Sequence, residues 1–154
     1  VYGDVLTDLD LGDLVAYHAE RVASFPPGAA ALTMALCKTE RPSEVGIVEV
    51  DARGRVTRFA EKPASGTAFS DLSNAGVLVL EPGILQHIPA GRAVDFGQDV
   101  FPALLERDVP MFGWRIPDGT YLADYGTLEA YARVQVEWPP KPAGRQRAHE
   151  RQGL

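Results

Sequence analysis

Residues 45 to 63 read Val45-Gly46-Ile47-Val48-Glu49-Val50-Asp51-Ala52-Arg53-Gly54-Arg55-Val56-Thr57-Arg58-Phe59-Ala60-Glu61-Lys62-Pro63. Val45 to Asp51 and Arg55 to Ala60 carry β-branched and aromatic residues that suit a pleated surface. Ala52-Arg53-Gly54 between them offers a glycine where a left-handed residue is needed. The stretch predicts a β-hairpin. Pro63 follows the second strand, and its ring disfavours helical geometry at the preceding residue, which predicts extended backbone at Lys62.

The rest of the chain is read outward from this hairpin. On its N-terminal side, residues 31 to 38 are mostly apolar and suit a buried strand. Before them Asp10 and Asp13 mark a helix start, and Leu11, Leu14, Val15, His18 and Val22 recur at helical spacing. An amphipathic helix over about 11–24 is expected, ended by Phe25-Pro26-Pro27-Gly28. His18 lies on its apolar stripe and reads as a packed, hydrogen-bonded histidine rather than a ligand. On the C-terminal side, Asn74 to Leu80 is a second buried strand, closed by Glu81-Pro82-Gly83 before a short helix near 83–88. Val100, Phe101, Leu104 and Leu105 mark a helix that either starts at Pro102 or bends there. Residues 111–116 and 120–123 read as short strands, and Thr127 opens a helix with Leu128, Tyr131 and Val134 on one face. Helices and strands alternate, with the hairpin interrupting them. The expected fold is α/β, a mixed, mainly parallel sheet with helices on both faces. No repeat of 20 to 50 residues is present, so no hexapeptide β-helix is expected.

At 154 residues, with 45% hydrophobic and 23% charged residues, the chain has the size and composition of one soluble globular domain. No apolar run approaches the ~20 residues of a membrane span, so no membrane partner and a cytoplasmic location are expected. The net charge of −6 argues against binding nucleic acid phosphates. Within residues 138–154, Lys141, Arg145, Arg147 and Arg151 outweigh Glu150 by three charges, leaving −9 on residues 1–137. That basic, proline-rich tail is expected to be disordered. Cys37 is the single cysteine, which excludes an internal disulfide and a thiolate zinc site.

Several short motifs carry residues with chemical potential, and each also has a plain reading. Gly3-Asp4 places a carboxylate beside a glycine at what reads as the end of a strand, where open α/β sheets gather their ligands; it equally suits a cap or a solvated loop. Asp124 precedes Tyr125-Gly126-Thr127 and a helix, so Thr127 is a candidate cap while Asp124 projects from a strand end or simply fixes a turn. Glu61 and Lys62 suit a hydroxyl acceptor and a phosphate partner, or a surface ion pair. Asn74 with Gly76 opens a strand and suits a turn.

Taken in order, Gly3-Asp4, Phe59-Ala60-Glu61-Lys62-Pro63, Ser73-Asn74-Ala75-Gly76 and Asp124-Tyr125-Gly126-Thr127 resemble the active-site series of the sugar-phosphate nucleotidyltransferases, or NDP-sugar pyrophosphorylases. The resemblance covers about residues 1–137. It implies a Rossmann-like nucleotide-diphospho-sugar transferase fold and the transfer of a nucleotidyl group from a nucleoside triphosphate to a sugar 1-phosphate, releasing pyrophosphate. It pairs Asp4 with Asp124 on one Mg2+, assigns Lys62 to the sugar phosphate and Glu61 to the sugar ring, and matches Gly3, Gly46, Asn74 and Gly76 to further substrate-binding positions. Asp4, Lys62 and Asp124 are thereby the expected catalytic residues. Asp95-Phe96-Gly97-Gln98-Asp99-Val100-Phe101-Pro102 looks most like mannose-1-phosphate guanylyltransferases, with glucose-1-phosphate enzymes close behind.

Members of that family open with a strand and a glycine-rich loop that holds the nucleotide, and this chain resembles the part that follows. Tyr121-Leu122 also stands where the family has Tyr-Trp. The expectation is that the chain supplies the sugar and metal sites, is inactive alone, and works beside a missing N-terminal half or another subunit. The alternatives are a non-catalytic, regulatory module that binds a sugar phosphate, and a structural fragment that folds only beside its missing half.

Overall fold

The computed structural model describes residues 1–138; all but the first residue of the basic tail lies outside them. Seven strands and three α-helices are built in the order β1 (Val5–Thr7), α1 (Leu11–Val22), β2 (Leu32–Lys38), β3 (Gly46–Val50), β4 (Val56–Glu61), β5 (Leu72–Leu80), α2 (Phe101–Glu106), β6 (Met111–Arg115), β7 (Leu122–Asp124) and α3 (Leu128–Glu137). A five-stranded sheet runs β4-β3-β5-β2-β6, and β1 pairs with β7 in a separate two-stranded ribbon.

The α/β, mixed character is as expected, but the sheet is not mainly parallel. Only β2 and β6 run parallel, while β2 with β5, β3 with β4 and β3 with β5 are antiparallel. The cause is in the connections. β3 and β4 are joined by the tight turn at Asp51 to Arg55, where Gly54 takes φ +79° and Asp51 Oδ1 accepts the amides of Arg53 and Arg55 at 2.8 and 2.9 Å. A turn that short returns the chain antiparallel. Parallel pairing needs a longer crossover, and only the helical stretch over 82–106, which follows β5, precedes a strand that lies parallel to β2.

Alternation along β2 sends side chains to two faces. Leu32, Met34 and Leu36 pack with Ile84, Phe101 and Leu104 on the face covered by α2, whereas Ala35 joins Leu14, Ala75 and Val77 on the face covered by α1. Helices therefore cover both faces. α1 starts where Asp10 accepts the amide of Gly12 at 2.8 Å, and it buries Leu14 and His18. His18 is the satisfied histidine expected, held by the Thr33 hydroxyl at 2.8 Å and a Glu81 carboxylate oxygen at 3.2 Å. The hairpin tip reaches the edge of β6, where the Gly113 amide donates to the Gly54 carbonyl at 2.8 Å and Arg55 pairs with Asp108.

Two helical readings are refined. Residues 82–87 form a 3-10 rather than an α-helix, and Pro102 lies in the first turn of α2, directly after a π-helical turn at Phe96–Val100. The helical stretch thus begins before Pro102, which stands where the π-helical turn passes into α2 with Val100 and Phe101 both in helical geometry. Thr127 caps α3, its hydroxyl accepting the Ala130 amide at 3.1 Å. Thr127→Ala is expected to cost about 1 kcal/mol of stability. Urea denaturation checks it, and an unchanged midpoint would show that the cap adds nothing.

Candidate active site

Strand ends and turns gather at one end of the molecule around a cleft of about 490 Å³. Asp4, Gly46, Glu61, Lys62, Asn74, Gly76 and Asp124 all line it. Gly3 stands outside the lining, with its carbonyl accepting the Tyr125 hydroxyl at 2.8 Å.

The two aspartates meet through the β1–β7 ribbon. Val5 is the register partner of Asp124, and the Tyr125 amide donates to the Asp4 carbonyl at 2.9 Å. Asp4 thus lies in a turn before β1 rather than at a strand's carboxyl end, while Asp124 is the last residue of β7 as expected. Both carboxylates face Gly126: a Cβ built there would lie 3.2 Å from Asp124 Oδ1 and 3.3 Å from Asp4 Oδ2. The two oxygens can be no farther apart than the sum of those distances. Asp124 Oδ1 also accepts the Gly126 amide at 2.7 Å, which fixes its rotamer. Nearby acids are occupied elsewhere, Asp8 by the Tyr121 amide at 2.8 Å and Asp10 as the cap of α1.

Among the described residues no group of three or more His, Cys, Asp or Glu is placed to hold a metal. A pair of carboxylates is too few for zinc but fits magnesium, which keeps waters and substrate phosphates in its octahedron. The glycine at 126 leaves the space between the pair open, as an ion there would require.

Lys62 departs from the extended geometry expected before proline. Its φ is +45°, in the left-handed region that non-glycine residues seldom enter. The Gly46 to Glu61 pairing closes the β3–β4 ladder, and the Lys62 amide still donates to the Val45 carbonyl at 3.1 Å. The backbone must turn sharply at that point. Such strain costs on the order of 1–3 kcal/mol and concentrates at functional positions.

Asn74 does not open β5 but lies inside it, at a bulge. Between the Met34 to Leu78 and Leu36 to Asn74 pairings β5 carries extra residues, and Gly76 takes φ +72° there. Asn74 Oδ1 accepts the Gly76 amide at 3.1 Å, and the Gly76 carbonyl accepts the Tyr2 amide at 2.8 Å. The turn-fixing reading of Asn74 therefore holds, and it places Tyr2 over the cleft. Burial raises the Tyr2 phenol's pKa and the charges of Asp95, Glu61 and Asp4 push the same way, so it enters the cleft as a neutral hydroxyl.

Burial also raises the Glu61 pKa; Lys62 opposes that shift and Asp95 adds to it. Ionised Glu61 therefore opposes folding, and this cost is relieved as pH falls through its raised folded-state pKa. A ligand that uses the ionised carboxylate as acceptor is expected to lose affinity over the same interval, above the pH at which an ordinary glutamate protonates. Titrating sugar-phosphate affinity against pH in the parent and in Glu61→Gln isolates the effect from ligand ionisation. Parallel curves would exclude Glu61 from the pH response.

Tyr2, Lys38, Asp95 and Gly97 also line the cleft without having been singled out from the sequence for a site role. Asp95 and Gly97 lie in the segment that carried the family resemblance, but nothing local in Asp95-Phe96-Gly97 says that it folds against Glu61.

The nucleotidyl transferase family model matches residues 1–139. The chain belongs to the nucleotidyl transferase family. Among curated members, it is 36% identical over 110 residues to a UTP–glucose-1-phosphate uridylyltransferase of Synechocystis sp., covering 71% of this chain and 27% of that protein. It is 34% identical over 136 residues to a mannose-1-phosphate guanylyltransferase of Mycobacterium tuberculosis, covering 88% of this chain and 35% of that protein. The chain thus spans about a third of the length of these relatives. Nucleotidyl transferases of different base and sugar match at similar identity, so the guanylyltransferase likeness does not single out one member. The fold is shared with an apo UDP-glucose pyrophosphorylase, TM-score 0.67 at 16% identity over 90% of this chain and 52% of that one. HddC from Yersinia pseudotuberculosis shares it too, with TM-score 0.61 at 19% identity over 90% and 54%. No helix of the described residues is long and apolar enough to cross a membrane.

Proposed function

We propose that this chain supplies the sugar-phosphate and divalent-metal sites for nucleotidyl transfer from a nucleoside triphosphate to a sugar 1-phosphate, with mannose 1-phosphate and glucose 1-phosphate the first candidates. The observation that carries this reading is the meeting of Asp4, Asp124, Glu61 and Lys62 in one cleft, although Asp4 and Asp124 lie at opposite ends of the matched region. In such a reaction a sugar-phosphate oxygen bonds to the α-phosphorus, the bond from that phosphorus to the bridging oxygen breaks, and pyrophosphate leaves with the electron pair. No protein nucleophile is needed; the demand is for charge and position.

Asp4 and Asp124 would hold magnesium, which when bound offsets the repulsion between the two anionic reactants. Lys62 brings a compact cation to the sugar phosphate. Ionised Glu61 accepts hydroxyls of the ring, and the missing side chains of Gly46 and Gly76 leave room for Glu61 with Phe59 and for Val5 with Tyr2 in the wall of the cleft. Pyrophosphate release from a panel of triphosphates and sugar 1-phosphates tests the proposal, with the chain alone and with a longer protein that adds a family glycine-rich loop. Release dependent on magnesium and on one sugar phosphate supports it. Absence of release from both proteins, with sugar-phosphate binding intact, would favour the non-catalytic binding module.

A further inference from the structure

The Glu61 carboxylate of the cleft lies against two glycines, Gly46 in β3 and Gly97 in the π-helical turn. A Cβ built on Gly46, its register partner in β3, would lie 2.7 Å from Glu61 Oε2. A Cβ built on Gly97 would clash with the same carboxylate, overlapping Oε2 and lying 2.8 Å from Cδ and 3.2 Å from Cγ. Contacts under 3 Å force a displacement, and the group met here is the flexible end of Glu61, which can move where the backbone of the turn cannot. Gly97 is buried in the π-helical turn Phe96–Val100, whose start is fixed by Asp95 Oδ1 accepting the Gln98 amide at 2.8 Å. Its position is therefore set by the turn, and the only freedom to relieve a clash lies with Glu61. Among the described residues no hydrogen bond holds the Glu61 carboxylate in place. Shape alone, with the neighbouring Lys62 charge, determines where it points.

We propose that Gly97 is a positioning residue for sugar-phosphate recognition, acting through Glu61: the absent side chain at 97 completes a two-glycine slot that aims the carboxylate into the cleft. The inference rests on the proposed function for the role of Glu61, but concerns a residue that the reading left without a task. A methyl group at 97 expels the carboxylate from the slot, and the hydroxyls it would accept lose a charged partner.

The test is a double-mutant cycle read by calorimetry with mannose 1-phosphate and glucose 1-phosphate on the 154-residue chain. Glu61→Ala and Gly97→Ala are each expected to weaken binding of the preferred sugar phosphate about tenfold to a hundredfold. Gly97→Ala is expected to add almost nothing in the Glu61→Ala background, because the atom it displaces is gone. Binding of inorganic phosphate, which depends on Lys62, stays within about threefold in Gly97→Ala. If Gly97→Ala fails to fold, the double variant is expected to fold, since its clash has been removed. The positioning role is overturned if Gly97→Ala binds like the parent, if its effect persists undiminished without Glu61, or if the double variant also fails to fold. Loss of the Glu61→Ala effect itself would instead overturn the sugar-binding reading of the cleft.

Discussion

In the longer protein that adds a family glycine-rich loop, Asp124→Ala is expected to lower kcat/KM for nucleotidyl transfer roughly a thousandfold, the scale on which a preorganised electrostatic group at a reacting centre contributes. The variant removes one of the two carboxylates that face each other across Gly126, and the oxygen it deletes is the one fixed by the Gly126 amide. Its partner Asp4 cannot compensate, because it is tied to its own turn by the Tyr125 amide on its carbonyl. Loss of Mn2+ affinity, measured by electron paramagnetic resonance, provides a readout independent of turnover and is expected in Asp4→Ala as well. Thermal stability should change little, since both carboxylates are exposed. Retention of activity within tenfold together with unchanged Mn2+ affinity would remove the pair from the reaction and return Asp124 to a turn residue.

Lys62→Ala is expected to weaken sugar 1-phosphate binding about tenfold to a hundredfold, the loss of ~1.5 to 3 kcal/mol that follows removal of a charged hydrogen-bond partner. Nucleotide affinity, measured in the longer protein that adds the glycine-rich loop, should change much less. The left-handed φ of +45° supplies a control. Lys62→Gly deletes the same ammonium but relieves the backbone, so it should bind as weakly as Lys62→Ala while being more stable. Calorimetry and denaturation together separate the two effects. Equal affinity in the parent and both variants would reassign Lys62 to the solvated surface.

The features read correctly from sequence are those whose cause is local. The β3–β4 hairpin follows from β-prone residues around a turn glycine, and Gly54 indeed takes positive φ. The starts of α1 and α3 follow from Asp10 and Thr127, whose side chains satisfy amides within three residues. His18 on the apolar stripe of α1 is buried for the same reason. The motifs around Asp4, Glu61-Lys62, Asn74-Gly76 and Asp124 were legible because their order matches a family, not because any of them signals its own geometry.

Tertiary structure decided what depends on partners distant in sequence. The register of β5 against β2 must send Leu36 to the cluster under α2 and Ala35 to the cluster under α1, a constraint set by both helices together and invisible within either strand. The proline rule at Lys62 lost to the sharp exit from the β3–β4 ladder, since a ladder bond and a strand end constrain the backbone more than a neighbour's ring. Asp4 and Asp124 become neighbours only because β1 and β7 pair, a loop closure that no local propensity encodes. Gly97 acquired a task only when its π-helical turn packed on β4. Residue identity determined which groups were available to this cleft, while pairing and packing determined which of them face one another, because contact between remote residues is fixed by burial of the whole sheet rather than by any segment of it.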